Sequence, residues 1–240
     1  MLQNGLFNTL YETRSDSFEV NIAFISCIVL SAIFSYLLGS INSAIIVSKL
    51  MYNEDIRNFG SKNAGLTNMI RTYGKKAAFF TLAGDILKVA IVLLFTAFLF
   101  GFRYARGISW NEMCYFNGLL CTIGHIKPIY YRFKGGKGVL CTAAMLLMLA
   151  PPIFSALLLV FVALVAMTKY ISLGSIVVAG LLPIAMQGFM EIILGEGTYN
   201  PLIAVICVIL AIIVIACHKT NIQRLLKGEE NKFYFRKDKK

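Results

Sequence analysis

Charge is scarce in this sequence. Asp, Glu, Lys and Arg make up 15% of its 240 residues, against about 25% in an ordinary soluble domain. Most of the chain must therefore face lipid or other apolar helices. Acidic residues are the scarcer sign, 12 against 23 Lys and Arg. On the basic face only Glu54, Asp55, Glu229, Glu230 and Asp238 stand outside the apolar runs, too sparse a set for the carboxylate cluster that holds a hard metal cation. The cysteines Cys27, Cys114, Cys121, Cys141, Cys207 and Cys217 include no Cys-x-x-Cys pair and lie in or beside apolar segments, a pattern that supports neither a disulfide framework nor a zinc site. The first 19 residues carry Glu12, Asp16 and Glu19 against Arg14 alone, so they lack the basic start of a cleaved signal peptide and the first apolar run is expected to be a retained helix. No linker rich in Ser, Gly or Pro divides the chain, and no repeat is evident.

What is abundant is apolar sequence, at 58%. A helix needs about 20 mostly apolar residues to cross the hydrocarbon, fewer where the bilayer thins or neighbours shelter it. This predicts seven spans, over residues 20–51, 77–102, 113–129, 138–150, 152–167, 172–194 and 201–217. The fourth and fifth are short and parted only by Pro151 and Pro152, so one kinked span is the alternative there. Charge decides the count. With seven spans and the first tail outside, all of the 23 Lys and Arg except Arg14, Arg103, Arg106 and Lys88 fall on one face, which the positive-inside rule makes cytoplasmic. Six spans lose that asymmetry. The expected fold is an all-α integral membrane protein, a seven-transmembrane-helix bundle with the N-terminus outside and the C-terminus cytoplasmic. Residues 1–19 would be an extracytoplasmic tail, 20–217 the membrane domain and 218–240 a basic cytoplasmic tail. Lys88 falls inside the second span with Asp85 three residues before it, on the same helix face, where the two can neutralise each other. Either a functional role or a structural ion pair fits such intramembrane charges.

The net charge of +11 is explained by topology and anionic headgroups, since the cations lie between apolar spans and form no continuous stripe; no nucleic-acid partner is expected. Four polar segments project from the basic face. The first, residues 55–71, holds Ser61, Asn63, Thr67, Asn68 and Arg71 among glycines; small donors and backbone amides can approach an anion closely, and Arg71 can grip phosphate with two bonds. A plain turn is the bland reading of that stretch. The second, residues 124–138, contains His125 and the run Lys134-Gly135-Gly136-Lys137-Gly138 directly ahead of a helix. Free amides, a positive dipole end and two ammonium groups suit phosphate, and the spacing is not that of a Walker A loop, so nucleotide hydrolysis is not implied. The third carries Ser172 and Ser175 at a helix start, where capping is the simplest role. The fourth, residues 218–230, carries Asn221 in a basic amphipathic stretch suited to the membrane surface.

Taken together, in order and on one face, these segments resemble the bacterial acyl-phosphate:glycerol-3-phosphate acyltransferase family, the PlsY type. The likeness begins at Gly39, Ser40, Ile41 and Asn42, passes through residues 55–71 and 85–88, and continues over 124–138, 170–175 and 221–230. Lys62 stands where that family usually has glycine, Ala64 where it has proline, and Leu140 and Cys141 where Ala-Thr commonly follows the glycine-rich loop. The resemblance implies a monomeric enzyme of the bacterial cell membrane, with its active site on the cytoplasmic face. It would transfer a fatty acyl group from acyl phosphate, drawn from the membrane lipid phase, to sn-glycerol 3-phosphate, giving lysophosphatidic acid and inorganic phosphate without cofactor or metal. Arg71, Lys134 and Lys137 would bind phosphate, helped by Ser61, Asn63, Thr67, Asn68 and the amides around Gly135 and Gly136. Ser172, Ser175 and Asn221 would orient glycerol phosphate by hydrogen bonds. His125 would take or steer the hydroxyl proton, or the acyl phosphate's own phosphate would take it and leave His125 a positioning role.

Two other classes are weaker. Acyltransferases that use acyl-CoA or acyl carrier protein pair a His with an Asp five residues on, whereas His125 is followed there by Tyr130 and His218 by Gln223. A membrane carrier for phosphate or an organic anion could use the same cations, but carriers usually place broken helices at the midplane within an internal repeat.

Overall fold

The computed structural model describes residues 18–101, 109–193, 195 and 200–233, and these are helical with no strand among them. The chain forms two compact units, Met1–Leu149 and Ala150–Lys240. In the first unit the helices are α1 (Phe18–Gly39), α2 (Ser43–Tyr52), α3 (Leu66–Tyr73), α4 (Lys75–Phe100), α5 (Trp110–Ile126) and α6 (Val139–Leu149). Short 3-10 turns, Ile56–Asn58 and Ile129–Tyr131, sit in the loops after α2 and α5. The second unit holds α7 (Pro151–Thr168), α8 (Ile171–Gly188) with a π turn at Phe189–Ile193, α9 (Pro201–Cys217) and α10 (Lys219–Leu226).

The first expected span, residues 20–51, is built from two helices. The chain breaks at residues 40–42, where the Asn42 side chain accepts the Ile45 N–H and so starts α2 as its N-cap. Asn42 also donates to the Ala64 carbonyl at 3.2 Å, tying the break to the first loop. Beneath that loop Ala44, Ile45, Ile56, Ala64, Met69 and Ala77 form a buried apolar cluster, so the alanine at position 64 fills core.

The break lies where α1 crosses α5 at very close range. A Cβ on Gly39 would fall 2.2 Å from the Cys121 carbonyl oxygen, and one on Gly124 would fall 2.3 Å from that of Tyr36. Only glycine permits the crossing. α4 then packs on α1, α2, α3, α5 and α6, becoming the central post of the unit.

Other helix ends shift for local reasons. The second expected span begins earlier, at Lys75, because Gly74 at φ +83° ends α3 one residue before. The third ends at Ile126, ahead of Pro128. The fourth and fifth are separate helices, since Ala150 is not helical and Pro151 opens α7 at a position where its missing N–H costs nothing. The sixth runs from Ile171 into the π turn, with residue 194 outside the described residues, and the seventh matches α9. Among the described residues, four stretches are long and apolar enough to cross a membrane: Asn21–Tyr52 taken whole, Lys75–Phe100, Pro151–Thr168 and Ile171–Ile192. The pair α9 and α10, bent by 58°, makes a fifth if counted as one span. α6, at 11 residues, reaches only about 16 Å. Of the expected N-terminal tail, residues 1–17 lie outside the described residues, as do 234–240 at the other end.

Candidate functional site

In the first unit two loops are sewn together by one arginine. Asp55 accepts the Arg57 backbone N–H at 3.0 Å and grips its guanidinium with Nε–Oδ1 at 2.9 Å and Nη2–Oδ2 at 2.7 Å. Thus oriented, Arg57 donates Nη1 to the carbonyls of Tyr131 (2.9 Å) and Lys134 (3.3 Å) in the second loop and lies over the Tyr131 ring, 5.8 Å from its centroid. Hydrogen bonds from Arg57 hold the Asp55 carboxyl below the usual carboxylate range. Sequence reasoning counted Arg57 only as a topology signal. The carboxylate two residues before it was the available cue.

Within the first loop the site residues separate into two kinds. Asn68 is almost fully buried, its Oδ1 accepting the Ser61 N–H at 2.9 Å and its Nδ2 donating to the carbonyls of Ile56, Phe59 and Asn63. It braces the loop from inside. Ser61, Asn63, Thr67 and Arg71 are half-buried around it.

Lys62 sits at φ +58°, left-handed backbone that costs a side-chain-bearing residue about 1–2 kcal/mol. This gives a physical reason for the glycine common at that position. Lys62→Gly is expected to raise the melting temperature in detergent by about 2–4 °C, a gain of roughly 1 kcal/mol in a chain of this size. An unchanged or lowered melting temperature would show that the lysine side chain offsets its own strain.

The second loop hangs on the last turn of α5. Gly136 N–H donates to the His125 carbonyl at 3.1 Å and Gly135 N–H to that of Ile126 at 3.2 Å. These two amides, expected to cradle phosphate, are engaged within the protein. What the glycines provide is closeness: a Cβ on Gly136 would lie 2.0 Å from His125 Nε2. Lys134 is exposed and Lys137 half-buried on either side of the pair.

Behind the loop lies a buried polar cluster. Lys88 Nζ is 2.8 Å from Asp85 Oδ1 and 2.9 Å from His125 Nδ1, and it donates to the carbonyls of Gly39 (3.4 Å) and Ile41 (3.2 Å) at the break between α1 and α2. Ser43 donates to Asp85 Oδ1 at 2.9 Å. Sequence spacing gave the Asp85–Lys88 pair; its tie to His125, 37 positions on, carries no local signal.

In the second unit the expected Ser172 and Asn221 do meet, through a residue the sequence reading set aside. Glu230 Oε1 accepts from Ser172 Oγ at 2.9 Å and from Asn221 Nδ2 at 2.8 Å, while Oε2 accepts from Arg224 Nε at 2.8 Å. Burial pushes the Glu230 carboxyl up, but the hydrogen bonds from Arg224, Asn221 and Ser172 outweigh it and hold it below its ordinary value. Ser175, expected to orient substrate by hydrogen bonds, turns its hydroxyl back onto the Ile171 carbonyl at 2.9 Å and keeps its oxygen as an acceptor. The chain after α10 folds back, with Phe233 N–H on the Lys169 carbonyl at 2.7 Å.

Among the described residues no group of three or more His, Cys, Asp or Glu is placed to hold a metal ion. The chemistry on offer is cationic loops and hydrogen-bonding side chains, suited to holding anions and hydroxyls.

Comparison with known proteins agrees in extent and kind. The model of the family described as glycerol-3-phosphate acyltransferase matches residues 29–228. The glycerol-3-phosphate acyltransferase of Finegoldia magna is 41% identical over 205 residues, covering 85% of this chain and 96% of that protein. That of Ureaplasma urealyticum is 32% identical, covering 90% and 94%. Among solved structures, PlsY (YgiH), an integral membrane glycerol 3-phosphate acyltransferase, is similar in its glycerol 3-phosphate form with a TM-score of 0.72 and 31% identity, over 86% of this chain and 96% of that one. Its lysophosphatidic acid form gives 0.69 and 29%, over 86% and 95%.

Proposed function

Because the chain belongs to the glycerol-3-phosphate acyltransferase family, we propose that it transfers a fatty acyl group from acyl phosphate to the 1-hydroxyl of sn-glycerol 3-phosphate. The products are lysophosphatidic acid and inorganic phosphate, in the first step of phospholipid biosynthesis. The observation that carries this reading is the family match across residues 29–228, which takes in the first three polar segments whole and the fourth up to residue 228. The solved relative has forms with glycerol 3-phosphate and with lysophosphatidic acid, the acceptor and the product of this reaction.

Acyl phosphate is a mixed anhydride, so the protein has mainly to position reactants and stabilise charge. The glycerol oxygen bonds to the acyl carbon, the bond from that carbon to the phosphate oxygen breaks, and its electron pair leaves with phosphate. The hydroxyl proton passes to that phosphate. This choice over His125 as acceptor is supported by the Lys88 ammonium at 2.9 Å from His125 Nδ1, which occupies one of the two ring nitrogens.

In the first unit Arg71, Lys134 and Lys137 are proposed to bind phosphate, with Ser61, Asn63 and Thr67 assisting, while Asn68, Gly135 and Gly136 hold the loops in shape. In the second unit Ser172 and Asn221 are proposed to orient glycerol hydroxyls. With its only proton donated to Glu230, Ser172 is left to accept a bond from the substrate.

For topology the proposal is seven spans in the bacterial cell membrane, an external N-terminus and a cytoplasmic C-terminus and active site. Residues 20–217 would be the membrane domain between two tails, in a monomeric enzyme. The lopsided distribution of Lys and Arg supports this. The carrier alternative gains no support from relatives that are acyltransferases.

Purified protein incubated with acyl phosphate and glycerol 3-phosphate is expected to release phosphate in step with lysophosphatidate, with no metal or CoA added. Absence of product under those conditions would sink the reading. Lys137→Ala and Arg71→Ala should each lower kcat/KM by about 10- to 100-fold, the loss expected for a charged hydrogen bond to phosphate, while melting stays cooperative. Full activity in both would remove the proposed phosphate contacts.

A further inference from the structure

We infer that Lys88 is a positioning residue for this reaction: its ammonium fixes His125 as the Nε2–H tautomer, so the ring presents an N–H, and not a lone pair, to the loop at residues 134–138.

An ammonium has three donors and no lone pair. The acceptors around Lys88 Nζ include Asp85 Oδ1 at 2.8 Å, His125 Nδ1 at 2.9 Å, and the Ile41 and Gly39 carbonyls at 3.2 and 3.4 Å. The two carbonyls are available because α1 stops at Gly39 and α2 does not begin until Ser43, leaving helix-end oxygens without the usual amide partners. With Nδ1 accepting from the ammonium, the ring proton of neutral His125 resides on Nε2. A proton on Nδ1 would face another donor at 2.9 Å.

Nε2 is the atom nearest the place a Gly136 side chain would occupy, 2.0 Å from a built Cβ. The same residue's backbone amide is bonded to the His125 carbonyl at 3.1 Å. The ring and the glycine pair are therefore one packed unit, and the orientation of the ring sets the height at which Lys134 and Lys137 are carried. Lys88 acts on this loop through His125. A charged pair buried in an apolar bundle is costly to keep. Fixing three elements at once, the α1–α2 break, α4 and α5, is what that cost provides.

The functional part of the inference rests on the acyltransferase reading; the tautomer does not. The chain has only two histidines, so nitrogen-15 NMR of histidine-labelled protein in detergent reads both rings without turnover. His218 Nδ1 lies 2.8 Å from the Val214 carbonyl, an oxygen that can only accept, so His218 carries its proton on Nδ1. The two rings are expected as opposite tautomers, with His125→Gln removing the signal protonated on Nε2. A His125 signal protonated on Nδ1 in the wild-type protein would overturn the inference.

The neutral double variant Asp85→Asn with Lys88→Met is expected to release the bias, so that His125 populates the Nδ1–H form, and to lower kcat/KM for acyl phosphate about tenfold or more through misplacement of the loop. A double variant that keeps the wild-type tautomer, or shifts it with no loss of rate, would also overturn it. Should that variant fail to fold, the wild-type spectrum still decides. An inactive wild-type enzyme would sink the proposed reaction and leave the tautomer standing.

Discussion

Alanine in place of Gly136 is expected to lower kcat/KM by more than about 100-fold, the scale of loss that follows when reacting groups are displaced by about 1 Å, with helix content unchanged. The added methyl would sit 2.0 Å from His125 Nε2, 2.8 Å from Cε1 and 2.9 Å from Cδ2. None of these atoms ends a flexible chain. The ring is buried and gripped at Nδ1 by Lys88, so the loop is the part that yields. Overpacking of this kind usually costs about 1–3 kcal/mol of stability, which a cooperative bundle survives. The lysines on either side of Gly136 would move with it. Initial rates together with circular dichroism check the result, and an active Gly136→Ala enzyme would mean that the height of the loop is irrelevant to binding. Removing the ring as well, in Gly136→Ala with His125→Ala, makes room for the methyl. The double variant should therefore be less impaired than the two single losses summed.

This dependence shows which parts of the site could be read along the chain. Lys134, Gly135, Gly136 and Lys137 are consecutive, and Asp85 and Lys88 are one helical turn apart, so their proximity is local and legible. The internal partners of the glycine amides were not legible because hydrogen-bond partners are set by where the loop folds back, here onto the end of α5. Asn68 looked like one more small donor in a polar stretch. It is instead consumed by four partners that only the closed loop brings together.

Long-range ties are the part no spacing rule supplies. Arg57 reaches Tyr131 and Lys134, 74 and 77 positions away, and Tyr36 donates its hydroxyl to the Lys127 carbonyl at 2.9 Å across 91 positions. Apolar content predicted where helices lie but not where the first one breaks, because Ser40, Ile41 and Asn42 are tolerated within a span. The break follows from a capping asparagine bonded to a distant loop and from glycines at a helix crossing. The same break then frees the carbonyls that hold Lys88. One local irregularity thus holds the buried charge, the charge holds the histidine, and the histidine packs against the glycine-rich loop.

Glu230→Ala is expected to be strongly destabilising, by roughly 2–4 kcal/mol, from buried donors left without an acceptor at about 1–3 kcal/mol each. The Glu230 side chain is only 3% exposed and serves Ser172, Asn221 and Arg224 at once. Because Arg224 is 33% exposed, solvent screens part of the charge attraction, and much of the loss comes from the two neutral donors left without their acceptor. Glu230→Gln separates the parts. It can still accept from Ser172 and Asn221 but forfeits the charge opposite Arg224, so a smaller deficit is expected. The sign of the pH effect follows from the depressed native carboxyl. The stabilisation is fully present above the ordinary glutamic acid value of about 4.3. It is lost as pH falls through the lower native value. In thermal melts from neutral pH downward, the gap between wild type and Glu230→Gln should therefore narrow only in that acid range. A gap of constant size would show that the carboxylate's charge does not hold this cluster together. A rise in KM for glycerol 3-phosphate is expected to accompany the Gln variant at neutral pH, since Ser172 and Asn221 are oriented through the same oxygen.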